Sequence, residues 1–102
     1  MLNISKTVSD ENAVTFELEG RLDTVSAPAL QEAVEEIIGD ASEIIFDFKK
    51  LEYLSSAGLR ILLTTQQTMK ENGRPGVTVL DANDGIREVF TITGFDNILN
   101  VK

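Results

Sequence analysis

An α/β fold with a mixed sheet is what this chain of 102 residues predicts. Val14, Phe16 and Leu18 alternate with Thr15, Glu17 and Glu19, the period of a half-buried strand. Leu30, Ala33, Val34, Ile37 and Ile38 recur at helical spacing, with Glu32, Glu35 and Glu36 on the wet side. Short apolar runs and amphipathic stretches then take turns to the C-terminus, giving the order β-β-α-β-α-β-α-β. A hairpin followed by βαβ units implies a mixed sheet whose parallel strands are joined by right-handed crossovers.

The elements follow in order. Leu2, Ile4 and Val8 suggest the first strand, with Lys6 interrupting its alternation, and Ser9-Asp10-Glu11-Asn12 is a polar turn. The strand through Val14 and Leu18 should pair back antiparallel. Gly20 and Asp23-Thr24 are expected to break it. Thr24 or Ser26 can cap the first helix, with Pro28 in its first turn, where a missing N–H costs nothing. Gly39 ends that helix. Glu43 to Phe48 is apolar on consecutive positions, as in a strand covered on both faces. The second helix carries Leu59, Leu62, Leu63, Gln66 and Met69 in one stripe, stopped by Asn72-Gly73 and Pro75. Val77 to Leu80 is a short strand. Asn83 or Asp84 starts a third helix with Ile86, Val89 and Phe90 inward and Gly94 at its end. Phe95 to Val101 closes with a weak strand or a docking tail. No repeat or linker interrupts residues 1–102, so one domain is expected.

Composition narrows function by exclusion. The hydrophobic fraction of 42% supports one modest core, and no apolar run approaches the roughly 20 residues that span a bilayer. The N-terminus lacks a basic start followed by an apolar stretch, so the cytoplasm is the expected compartment. There is no cysteine and no histidine, which removes disulfides, Cys/His zinc sites and a Ser-His-Asp triad. A net charge of -8 argues against nucleic acid or an anionic membrane as partner. No metal and no cofactor are expected.

The chemistry-bearing stretch is Ile44 to Leu63, IIFDFKKLEYLSSAGLRILL. An apolar run ends at Asp47, a short polar turn is expected across Lys49-Lys50, and two adjacent serines precede an amphipathic helix. Hydroxyls at a helix N-terminus lie where unpaired N–H groups and the helix dipole favour negative charge. Ser56 at the helix cap is a role compatible with carrying a phosphate. Asp47 does not fit the phospho-acceptor of a receiver domain, because no acidic pair follows the first strand and no lysine follows Val77–Leu80. Lys49 and Lys50, solvated and protonated at neutral pH, are poor bases for a serine nucleophile. A catalytic role is therefore not expected.

The stretch Ser55-Ser56-Ala57-Gly58-Leu59 resembles the signature turn of the STAS domain in bacterial anti-sigma-factor antagonists. Phe16 to Asp23 is similar to that family's second strand, which ends in Gly-x-Leu-Asp, and Thr24 to Leu30 to the start of its first helix. Ile44 to Phe48, Val77 to Leu80 and Gly94-Phe95 fall in the family's order as well, so the resemblance covers the whole chain. It implies a partner switch without catalysis. The domain would bind an anti-sigma factor that is also a serine kinase with a histidine-kinase-like ATPase fold, releasing a sigma factor. Phosphorylation at the signature turn would end the binding, and a serine phosphatase would restore it.

The family turn reads Asp-Ser-Ser/Thr-Gly, with the phosphate on the first hydroxyl after Asp. Aligning its glycine on Gly58 makes Ser56 the acceptor, with Ser55 the second choice. Ser55 stands at the Asp position and Ala57 at the second hydroxyl position. The implied partner-binding patch comprises Asp23, Thr24, Ser55, Ser56, Gly58, Leu59 and Arg60. Asp23 could equally serve as a helix cap. Gly58 could keep the docking surface clear or pack against the neighbouring strand. The other reading is a non-catalytic STAS subunit of a lipid-transport or signalling assembly, holding a constitutive interface.

Overall fold

The computed structural model describes residues 1–102. Its strands are β1 (Leu2–Val8), β2 (Ala13–Leu22), β3 (Glu43–Leu54), β4 (Thr78–Leu80) and β5 (Asn100–Val101). Its helices are α1 (Ala27–Ile37), α2 (Ser56–Glu71) and α3 (Asp84–Thr93), followed by a short 3-10 turn at Phe95–Asn97. The strands lie in sequence order, β1 antiparallel to β2 and the rest parallel. With that order, right-handed crossovers place α1, α2 and α3 on one face of the sheet.

The other face is open, which corrects the expectation that β3 is covered on both sides. Ile44, Phe46 and Phe48 are fully buried, whereas Glu43, Ile45 and Asp47, which alternate with them, are half-buried. A short apolar run cannot by itself distinguish one covered face from two. The buried face is knit by aromatic rings: Phe16 stacks on Phe46 at 5.6 Å, Phe46 tilts against Phe48 at 6.4 Å, and Phe48 stacks on Phe90 at 6.3 Å. Leu30 and Val34 of α1 and Leu62 and Met69 of α2 complete the same core.

β3 also runs further than its sequence suggests. Residues Lys49 to Glu52 are strand, not turn. The Asp47 carboxylate accepts the Lys49 N–H at 3.0 Å, and the pairing with β2 slips at this point from Glu17↔Asp47 to Glu19↔Lys50. A bulge therefore absorbs the polar residues, shifts the alternation and carries the strand on to Leu54. Likewise Gly20 does not end β2. It holds φ +106° beside a second register shift, and a Cβ there would meet the Met1 carbonyl oxygen.

Small polar residues set the helix ends, one position away from expectation at α2. Asn83 caps α3, accepting the Ile86 N–H at 2.9 Å, and Gly94 closes it at φ +80°. Ser55, not Ser56, caps α2. Ser26 precedes α1 but gives it no side-chain cap, and Thr24 is an exposed loop residue. The α2 stripe is rotated from expectation: Ile61 and Thr65 are buried with Leu62, Gln66 and Met69, while Leu59 and Leu63 are half-buried. Val89 too is only half-buried. Past α1, the Arg74 guanidinium donates to the carbonyls of Ile38, Gly39 and Ala41 at 2.7, 2.6 and 3.0 Å. A cation thus satisfies the carbonyls at that helix end. No helix is long and apolar enough to cross a membrane.

Candidate functional site

Parallel strands deliver their following loops to one edge of the sheet, so the loop after β2 and the start of α2 meet there. The Ser55 N–H donates to the Leu22 carbonyl at 2.9 Å, continuing the strand pairing one residue past Leu22↔Leu54. Asp23 and Thr24 therefore stand beside Ser55 and Ser56.

The two serines have different jobs. Ser55 is extended (φ -91°, ψ 173°), and its hydroxyl accepts the Gly58 N–H at 3.3 Å while its carbonyl accepts from Leu59 at 3.0 Å. It is half-buried and committed to starting the helix. Ser56 occupies the first helical position, exposed, beside N–H groups that have no partner within the helix. A phosphate on Ser56 would sit at the positive end of the α2 dipole without breaking the cap.

Gly58 lies beneath this surface rather than on it. It is buried, and a Cβ would come within 2.6 Å of Leu54 Cδ1 and 2.8 Å of Leu22 Cδ2 and Cγ. Its small size lets α2 start directly over the ends of β2 and β3, so packing and not contact with a partner accounts for it. Leu59 is half-buried against the core, and Arg60 is exposed one turn after Ser56.

Asp23 is likewise a loop organiser. Its Oδ1 accepts the Val25 and Ser26 N–H groups at 3.1 and 3.0 Å and the Ser26 hydroxyl at 3.1 Å. The Ser26 hydroxyl also accepts the Asp23 N–H at 2.9 Å, and its one proton is shared between Asp23 Oδ1 and the Arg21 carbonyl, the latter 2.8 Å away. The bonds from Ser26, its N–H first and its hydroxyl second, hold the Asp23 carboxyl below the usual carboxylate range. The loop so fixed presents Val25, which is 88% exposed.

Three surface residues at this edge are absent from the sequence-derived patch: Arg21, Val25 and Tyr53. Arg21 and Tyr53 are register partners at the ends of β2 and β3, and the guanidinium lies over the tyrosine ring at 4.3 Å. Val25 could have been found as an apolar residue inside a polar loop. The Arg21–Tyr53 pair needs the strand register, including both bulges. No cluster of acidic residues able to hold a metal ion is present. A polar depression of the open face, lined by Ser5, Glu17, Glu19, Asp47, Lys49 and Lys50 among others, does not include the serine turn.

Known proteins are similar to this chain in sequence and in fold. The anti-sigma-F factor antagonist RsfB of Mycobacterium tuberculosis is 34% identical over 77 residues, which are 74% of this chain and 63% of that protein. The chain thus spans under two thirds of that relative's length. The anti-sigma-B factor antagonist of Bacillus subtilis is 25% identical over 102 residues, covering 99% of this chain and 93% of that one. The Bacillus cell fate determinant SpoIIAA, solved in its phosphorylated form, has the same fold: TM-score 0.78 at 19% identity, over 98% of this chain and 91% of that one. The family pattern described as the STAS domain matches from residue 3 to residue 102, and the chain belongs to that family.

Proposed function

We propose that this STAS domain is an anti-sigma-factor antagonist switched off by phosphorylation of Ser56. In its unmodified form it docks an anti-sigma factor that is also a serine kinase with a histidine-kinase-like ATPase fold, using the edge around Asp23, Thr24, Ser55, Ser56, Leu59 and Arg60. The docked kinase phosphorylates Ser56, and a serine phosphatase resets the domain. The observation that carries the reading is the division of labour at the turn. Ser55 holds the helix cap, while Ser56 is exposed at the first helical position. The names of the mycobacterial and Bacillus relatives support the antagonist role, and the phosphorylated form of SpoIIAA supports modification as a theme of the fold.

The mechanism needs no change of fold. A phosphate adds about -1.5 to -2 charges at pH 7 to the docking edge. A loss of about 2.7 kcal/mol in binding is a hundredfold weaker complex, enough to exchange partners. The test is capture from source-organism lysate with wild type and Ser56→Asp, followed by identification of the bound proteins. The account expects an ATPase-fold serine kinase on wild type alone. Membrane-transport subunits held equally by both chains would favour a constitutive subunit instead.

A further inference from the structure

We infer that Arg21, stacked on Tyr53, is the specificity-determining residue of the docking edge, and that it selects a partner presenting a carboxylate there. The inference rests on reading this edge as the docking surface, and it adds the chemistry of the partner.

Arg21 is exposed at the end of β2, and its guanidinium lies 4.3 Å from the centroid of the Tyr53 ring. Stacking on an aromatic ring restrains a side chain that otherwise loses much rotamer freedom on binding. With the guanidinium carbon over the ring and the residue exposed, the N–H groups can reach a partner from solvent. Those groups form a fork matched to a carboxylate. Asp23, two residues on, has its Oδ1 turned into its own loop, on Val25 and Ser26. The cation is therefore preorganised and unspent.

Arginine and tyrosine are both residue types enriched in binding hot spots. Tyr53 is 42% exposed and Val25 88% exposed, so an aromatic, an arginine and an aliphatic side chain share one edge with Ser56. Arg and Tyr dominate such sites when a partner seals them from water. The overall charge of -8 makes the choice selective. An acidic partner surface is repelled by most of this protein and welcomed at Arg21. It would also be the surface most strongly repelled once Ser56 carries a phosphate, which gives the switch its sign.

The experiment is a binding titration in a salt series, using the protein captured by the wild-type chain and the variants Arg21→Gln, Arg21→Glu, Tyr53→Phe and Tyr53→Ser. Thermal melts check that each variant folds, which is expected because both side chains are on the surface. Arg21→Gln should weaken binding by roughly 10- to 100-fold and flatten the salt dependence, as expected for a lost charge-assisted pair. Arg21→Glu should be weaker still. Tyr53→Phe keeps the ring under the guanidinium and should stay near wild type, whereas Tyr53→Ser should fall. Wild-type affinity in Arg21→Gln and Arg21→Glu would overturn the inference, and if Ser56→Asp still abolishes binding the antagonist reading survives without it. Conversely, Arg21-dependent binding of a protein that is no anti-sigma factor and ignores Ser56→Asp would uphold Arg21 and sink the antagonist reading. If wild type captures nothing, both fall.

Discussion

The Ser55 hydroxyl accepts the Gly58 N–H at 3.3 Å, and this bond makes two adjacent serines unequal. Ser55 spends its oxygen on the helix start, and Gly58, three residues on, lets that start rest on Leu22 and Leu54. Ser56 is left on the surface, one position into the helix. The structural role of the turn thus falls to Ser55, which leaves its neighbour free for the regulatory role proposed for it.

Stability should separate them. Ser55→Ala removes the cap and should cost about 1 kcal/mol, whereas Ser56→Ala should change stability by less than about 0.5 kcal/mol. Urea denaturation of the two variants reads the difference. Equal losses would mean that the cap is shared.

Gly58→Ala sets two effects against each other. Alanine gains about 1 kcal/mol in helix propensity. Against that, the new methyl meets Leu22 and Leu54, both buried, at 2.6 to 2.8 Å. Overpacking of this kind costs typically about 1–3 kcal/mol. Overpacking should win, with a lowered Tm and shifted amide resonances for Ser55 to Leu59. A rise in Tm would show that the leucines step aside.

Gln66 is the polar pin of the far side. Its Oε1 accepts the Val77 N–H at 2.6 Å and its Nε2 donates to the Ile98 carbonyl at 3.0 Å, tying α2 to the segments that lead into β4 and β5. Gly76 makes room for it, since a Cβ there would run into Oε1. Gln66→Leu leaves the buried Val77 N–H unpaired and should cost about 1–3 kcal/mol for that group alone. Hydrogen exchange at Val77 should accelerate in the variant. Unchanged protection would contradict the assignment.

Acid should loosen the β2–α1 loop. The Asp23 carboxyl is held below the usual carboxylate range by the Ser26 N–H and hydroxyl. A depressed folded-state value contributes stability that is complete above the ordinary Asp value of about 3.9 and is lost as pH falls through the lower folded value. A carbon-detected titration should find Asp23 protonating below that value in wild type, and closer to it in Ser26→Ala. An Asp23 titration unaffected by Ser26→Ala would remove the Ser26 hydroxyl as a cause and leave its N–H as the one that acts.

Much of this was legible in the sequence, and the misses share a physical origin. The serine turn, the hairpin, Asn83 and Gly94 declare themselves through residue types that few backbone conformations accept. Lys49 to Glu52 look like a turn because a bulge at Asp47 shifts the alternation, and an open sheet face tolerates consecutive polar residues. Ser55 and Ser56 are both one hydroxyl from a cap, and only the bond to Gly58 N–H decides between them. Arg21 and Tyr53 are brought together by strand register, which period and propensity do not encode.

The most direct test of the switch is the affinity of the captured anti-sigma factor for the chain before and after phosphorylation by that kinase, with the modified residue mapped. The account predicts phosphate on Ser56, none on the Ser56→Ala chain, and binding weakened about a hundredfold, or about 2.7 kcal/mol. Phosphate on Ser55, or a Kd unchanged by phosphate on Ser56, would contradict it.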